Sequence, residues 1–396
     1  MKIDFVITEL FAGGAERCLA ELASGMHEQG DQVRVFSIGS LPTGKKAGLV
    51  DKILESGIEI TSADANNVLA FWKARRRLID WLSVSTPDVC QSFLFHANCL
   101  TAMALRAIGK TKNAGLPDDT ESVVPLSPMP CFVGGLRVAE RNRMRCFLER
   151  RAVSRMDSLV CVSGAVARFA QSHLGCSLER TRVIPNGVDV PRFSVATPAS
   201  WPSVMSWDAD SDVVLFVGRF HPQKGIELLQ SQIDTIAPIG SRRKLLLIGD
   251  GPLRSGLQRW ADLVGPERCQ LLPWQSDIGA FLRAARLLVL PSHYEGMPNV
   301  ILEAMAAGRP VVCSLVEGSD ELLSHAKEHQ SFPAGDSNEM MRRIDALLDN
   351  PELAERLGEA NQARVRADFS IPSMIESYRS HYKSLMPRCQ PLQGSL

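Results

Sequence analysis

No charge of one sign prevails in this chain of 396 residues, where 44 Lys and Arg face 44 Asp and Glu. Such a balance sets up no global field that would draw the molecule to nucleic acid. No uninterrupted apolar stretch approaches the roughly 20 residues that a bilayer-spanning helix needs. The ten cysteines contain no CxxC pair and no Cys/His spacing of a metal site. Most of them sit in apolar runs such as "SLVCVSG" and "PVVCS", where cysteine behaves as a small hydrophobe. That usage suits a reducing compartment. The opening "MKIDFVITEL" reads as a strand, not as a secretory signal. The expected location is cytoplasmic.

What is present fits a soluble globular protein. Hydrophobic residues make up 45% and charged residues 22%, and the length allows two domains of ordinary size. The first half alternates strands and helices: "IDFVIT", the amphipathic "AERCLAELASGMHEQG", "QVRVFSI", "GIEIT", "VLAFWKARRRLIDWLS", "PDVCQSFLF" and "HANCLTAMALRAIG". Alternation of this kind predicts a parallel sheet covered by helices on both faces. Residues 110–130 have the proline and polar content of a loop, and 137–156 read as a basic helix before the strand "SLVCVS". Residues 190–211 read as a linker. A second alternating series follows, through "VVLFVGR", "KLLLIGDG", "CQLLPW", "LLVLPS" and "VVCSL". Two wound halves are expected, with no short repeat in either.

The segment "HYEGMPNVILEAMAAGRPVV", residues 293–312, carries the densest chemistry. Pro298 suits a first helical position and Gly308 a left-handed cap, so a helix is expected over about 298–307. Its start would lie at the carboxyl end of a parallel strand, where α/β sheets bind ligands. Free N–H groups around Gly296–Val300 would then favour an anion such as phosphate. Glu303 on the second turn can accept hydrogen bonds from ribose hydroxyls, and Glu295 from a sugar ring. Taken singly, each reads more simply as a dipole-favouring or solvated glutamate. The pair gains meaning beside "FVGRFHPQKG", where Arg219 and Lys224 are two cations able to hold a diphosphate. Gly13 and Gly14 in "FAGGAER", and the turn in "LIGDGPLR", allow close backbone approach, but a tight turn explains each equally well.

Together these stretches resemble glycosyltransferase family 4, retaining enzymes of the GT-B fold. The resemblance rests on "GGAER", "FLFHAN", "GLRVAERNR", "VCVSGAV", "VIPNGVD", "VGRFHPQKG", "IGDGP", "LLPWQSD" and "PSHYEGMPNVILEAMAAGRPVV", spanning about residues 10–325. Its most specific part is the E-x7-E frame from Glu295 to Glu303. The resemblance implies an α/β architecture of two Rossmann-like domains facing across a cleft. An acceptor domain is expected over 1–190, with a returning helix at about 372–396, and a donor domain over 191–371. It implies a nucleotide-diphosphate sugar, UDP- or GDP-linked, and a lipid-linked or growing cell-surface glycan as acceptor, with no cofactor and no metal. Arg219, Lys224, Glu295 and His96 would stand at the chemistry. Gly13, Gly14, Gly218, Leu272, Gly296, Met297, Pro298, Asn299, Val300 and Glu303 would hold the donor, its base lying against the backbone near Leu272–Trp274. Departures from the family pattern at Pro273, Arg286 and Glu317 touch no residue given a chemical role.

Three other readings stay open. A glycoside hydrolase using Glu295 and Glu303 leaves Arg219 and Lys224 without a task. A nucleotide-sugar epimerase or a non-catalytic nucleotide-binding subunit would keep the fold. The D-x-D in "DADSD" at 208–212 reads as solvated acids. Arg137, Arg141, Arg143, Arg145, Arg150, Arg151 and Arg155, with Arg75–Arg77, offer either a solvated face or a peripheral contact with the inner face of a membrane or a lipid diphosphate.

Overall fold

The computed structural model describes residues 1–389 apart from residue 12, residues 115–128 and residues 324–325. The chain divides into two compact units. Unit 1 comprises Met1–Pro185 and the chain from Ile371 onward, and unit 2 is Asn186–Ser370.

Unit 1 is built on seven strands: β1 (Lys2–Ile7), β2 (Gln32–Ser37), β3 (Glu59–Ser62), β4 (Val89–Phe93), β5 (Cys131–Leu136), β6 (Ser158–Cys161) and β7 (Thr181–Val183). They run in the order β3-β2-β1-β4-β5-β6-β7, with every pairing parallel. The crossovers carry α1 (Gly14–Glu28), α2 (Gly48–Glu55), α3 (Phe71–Ser85), α4 (Phe95–Ala114), α5 (Arg143–Val153) and α6 (Gly164–Leu174). α1 forms because Cys18, Leu19, Leu22, Ala23 and Met26 recur at helical spacing and are buried against β1 and its neighbours.

Unit 2 holds β8 (Asp212–Val217), β9 (Arg243–Ile248), β10 (Cys269–Leu272), β11 (Leu287–Leu290), β12 (Val311–Ser314) and β13 (Ser331–Phe332) in the order β10-β9-β8-β11-β12-β13, again all parallel. Its strands read as continuous apolar runs because helices cover both faces. The helices are α7 (Val190–Ser194), α8 (Trp201–Val204), α9 (Ile226–Ser231), α10 (Ile233–Ile236), α11 (Arg254–Val264), α12 (Gly279–Ala284), α13 (Asn299–Ala306), α14 (Ser319–Leu323), α15 (Lys327–Gln330), α16 (Ser337–Asp349) and α17 (Pro351–Asp368). A last helix, α18 (Ile371–Cys389), returns to unit 1 and packs on α1. Tyr378 and Tyr382 are wholly buried there, each ring removing on the order of 200 Å² from water.

Several expectations are corrected. β5 was not foreseen, because Gly134 and Gly135 leave its centre without side chains to signal a strand. A Cβ at Gly134 would lie 2.2 Å from Met156 Sδ, so a side chain there would require Met156 to move. The basic helix is α5 alone: Arg137 and Arg141 precede it and Arg155 follows it. Residues 190–211 are not a free linker but part of unit 2, anchored by buried Phe193, Trp201, Met205 and Trp207. Within "DADSD", Asp212 pairs with Arg286 at 2.9 Å and with Arg242 at 3.6 Å. The loop expected at 110–130 lies mostly outside the described residues, and its first part, to Ala114, continues α4.

Candidate functional site

In unit 2 the strand order reverses between β8 and β11, which are adjacent in space but not in sequence. Open parallel sheets bind ligands at such a point, outside the carboxyl ends of the strands. The loop after β8 carries Gly218, Arg219 and, in a single 3-10 turn, Lys224. The loop after β11 carries Glu295 to Pro298 and leads into α13.

The two loops are fastened to each other. His293 N–H donates to the Gln223 carbonyl at 2.8 Å, and Gln223 Nε2 donates to the Tyr294 carbonyl at 2.9 Å. Gly225 adopts φ +64°, and a Cβ there would stand 2.0 Å from the Pro291 carbonyl. Only glycine permits that approach. The fastening places Lys224 Nζ 2.5 Å from Glu295 Oε1, with both side chains largely buried. Ser292, itself buried, donates from Oγ to the same carboxylate oxygen at 2.6 Å. Arg219 is exposed at the end of β8.

α13 begins one residue later than expected. Pro298 is its N-cap, extended at φ −76° and ψ 111°, and no side-chain bond caps the helix. The first N–H groups of the helix are therefore left to backbone, solvent or ligand. Behind the loop, Gly318 at φ +80° would place a Cβ 2.0 Å from the Gly296 carbonyl, so the loop is tightly backed. Glu303 lies buried on the second turn. Gly308, at φ +69°, ends the helix in the left-handed form. Leu272 closes β10 at the same edge of the sheet, its carbonyl accepting from Gly249 N–H at 3.1 Å, and Trp274 beyond it is exposed.

At the carboxyl ends of these strands stand Gly218, Arg219, Lys224, Leu272, Glu295, Gly296, Met297, Pro298, Asn299 and Val300, with Glu303 one turn into α13, and Lys224 and Glu295 are brought into contact. Two cations, an uncapped helix start and two buried carboxylates suit a ligand with a phosphate centre and hydroxyl-bearing ends. Among the described residues no three His, Cys, Asp or Glu side chains converge as a metal site.

The sheet of unit 1 has its own reversal, between β1 and β4. Gly13 is the N-cap of α1, and Gly14 its exposed first residue. His96 stands exposed on the first turn of α4, after Leu94 at φ +73°. Although the residue as a whole is exposed, partial desolvation of the ring, helped by the Arg145 guanidinium and opposed by Glu9, lowers its imidazole from the ordinary range. Arg145 also lies over the Phe95 ring at 4.8 Å and pairs with Glu140. Glu16, in the first turn of α1, is buried, and burial pushes its carboxyl up to about 7. Arg137 is buried at the end of β5, donating to Tyr378 Oη at 2.9 Å.

Sequence reading missed Ser292, Gly318 and Glu16. A serine three residues before Glu295 was the available signal for the first. Burial, the signal for Glu16, is absent from a sequence.

A family model described as Glycosyl transferases group 1 matches residues 200–364, and one described as Glycosyltransferase Family 4 matches residues 12–192. The chain is 26% identical over 377 residues to the lipopolysaccharide core biosynthesis glycosyltransferase LpsD of Rhizobium meliloti, covering 92% of this chain and 94% of that one. It is 28% identical over 367 residues to the phosphatidyl-myo-inositol mannosyltransferase of Mycobacterium leprae, covering 91% and 90%. HepE of Anabaena, solved with UDP and glucose, shares the fold at a TM-score of 0.79 and 20% identity, covering 97% of this chain and 100% of that one.

Proposed function

We propose, from the premise that this chain belongs to the family 4 glycosyltransferases of GT-B fold, that it moves a hexosyl group with retention from a UDP- or GDP-linked sugar. The acceptor is a lipid-linked or growing cell-surface glycan. One observation carries the donor reading: Arg219, Lys224, Glu295, Glu303 and the uncapped start of α13 share one edge of the unit 2 sheet, at its reversal.

In this reading the acceptor hydroxyl oxygen bonds to the anomeric carbon on the face from which the nucleoside diphosphate departs. The departing phosphate oxygen takes the hydroxyl proton, so no separate base is needed. Arg219 and Lys224 neutralise charge that grows on the leaving group, which is stabilisation by groups already in place. N–H groups of Gly296 to Val300 hold phosphate, and Gly13 and Gly14 offer backbone N–H groups to it as the resemblance implies. Glu303 accepts from the ribose and Glu295 from the sugar. The base lies along Leu272. His96, kept neutral, orients groups near the reacting centre.

Support for the donor class comes from HepE, solved with UDP and glucose. Support for the acceptor class comes from LpsD, a lipopolysaccharide core enzyme. A contact with an anionic membrane is supported by α5, where exposed Met144, Phe147 and Leu148 lie among exposed Arg143, Arg150 and Arg151. Among the described residues no helix is long and apolar enough to cross a membrane.

The test is a panel of nucleotide sugars screened for thermal stabilisation, since a ligand of the folded state raises its stability. Product analysis of each stabilising sugar, with no acceptor present, then separates transfer from epimerisation. The reading expects one UDP- or GDP-linked hexose to stabilise the chain and to stay unepimerised. Stabilisation by none of them would end it.

A further inference from the structure

Asn186 is the first residue of unit 2, buried, and more than a hundred residues in sequence from the loop it touches. Its side-chain amide donates to Asn299 Oδ1 at 2.7 Å and, at 3.4 Å, to the Met297 carbonyl. Its backbone N–H points at Met297 Sδ, 3.3 Å away. One residue therefore grips both sides of Pro298, at the entry to α13.

Pro298, the N-cap, makes no side-chain cap bond, and its carbonyl accepts from Ile301 N–H at 3.1 Å. Gly318 backs the loop at Gly296, and Asn186 holds it at Met297 and Asn299. Backbone N–H groups bind an anion well only when they converge before it arrives. Otherwise the ligand must order them at the expense of its own affinity.

We propose that Asn186 is a positioning residue for the donor diphosphate, holding residues 297–299 so that the N–H groups at the start of α13 converge on one anion. The assignment rests on the donor reading above. Asn186 touches no substrate atom and acts through Met297 and Asn299. An amide suits the task because it can donate to two acceptors without adding charge beside the anion. A carboxylate of the same size would lose those donors and bring negative charge to the place reserved for phosphate.

Isothermal titration of the full chain with UDP and with GDP tests this. Asn186→Ala should weaken whichever nucleotide the wild type binds by about tenfold, equivalent to about 1.4 kcal/mol, in a chain that still melts cooperatively. Asn186→Asp should weaken it at least as much. In an Asn299→Ala background, Asn186→Ala should cost far less than alone, since the two residues share a bond. A merely structural role would lower the melting temperature and leave affinity and coupling unmoved. Should Asn186→Ala fail to fold, Asn186→Asp and Asn299→Ala carry the test by the same comparison. Folded Asn186 variants that bind like a wild type that binds would overturn the assignment alone. A wild type that binds neither nucleotide would overturn the donor reading and this assignment with it.

Discussion

Lys224 Nζ and Glu295 Oε1 lie 2.5 Å apart, joining the loop after β8 to the loop after β11 across the reversal of the unit 2 sheet. Ser292 supplies a further donor to the same oxygen. The cation assigned to the diphosphate is thus already matched by an anion of the chain itself. Two charges so far from water need such a match, because a lone buried charge is costly. An incoming phosphate must share Lys224 with Glu295 or take it from Glu295.

Glu295→Gln removes that competition while keeping shape. Bare nucleoside diphosphate should bind more tightly, by about threefold to tenfold, about 0.7–1.4 kcal/mol. Turnover should fall, because the sugar loses a charged acceptor. Titration calorimetry and initial rates on one preparation check both signs. Weaker nucleotide binding would show that Glu295 supports Lys224 instead of competing for it.

Glu16 makes stability depend on pH. Burial raises its carboxyl from 4.5 to about 7; Glu9 pushes the same way, while backbone N–H groups and Arg137 oppose. Between those values the folded chain keeps a proton that the unfolded chain releases, so this group lowers stability as pH rises through the window. The cost is absent below about 4.5 and complete above about 7, with a ceiling of about 3.4 kcal/mol at about 1.36 kcal/mol per unit. Glu16→Gln should flatten the urea-unfolding profile between about pH 5 and 8 and be the more stable chain at the upper end. Parallel profiles would contradict it.

Gly225→Ala should do local harm. The residue sits at φ +64° with its missing Cβ aimed at the Pro291 carbonyl 2.0 Å away. Strain of that kind costs on the order of 1–3 kcal/mol. Relief by separating the loops would draw Lys224 from Glu295. Denaturant unfolding should show the loss, and nucleotide affinity should fall with it.

The α5 face predicts a membrane response. Replacing Arg143, Arg150 and Arg151 by Glu should abolish cosedimentation with phosphatidylglycerol vesicles at low salt, since each cation near an anionic surface contributes about 1 kcal/mol. Phosphatidylcholine vesicles should bind neither form. Equal binding of both forms to anionic vesicles would remove α5 as the contact.

Much of this was legible in the sequence, and the reasons differ by element. Strands such as β8, β9 and β11 announced themselves as apolar runs, and the turns after them as glycine-bearing loops. β5 was hidden by two glycines, and α7 and α8 by a proline-rich composition that resembles a linker. Spacing placed Glu295 before a helix and Glu303 on it, but Pro298 caps that helix instead of starting it. The Lys224–Glu295 pair could not be foreseen. It depends on β8 and β11 being neighbours, and strand order is a property of the sheet. Arg137 looked like one more cation on a basic helix until β5 drew it into the core.

The most direct test is titration of UDP and GDP into the wild type and into the Arg219→Ala/Lys224→Ala double variant. Wild-type binding of one nucleotide, reduced at least about 100-fold in the folded variant, about 2.8 kcal/mol, is the predicted result. Equal affinity in the two proteins would contradict a diphosphate site at the β8–β11 reversal.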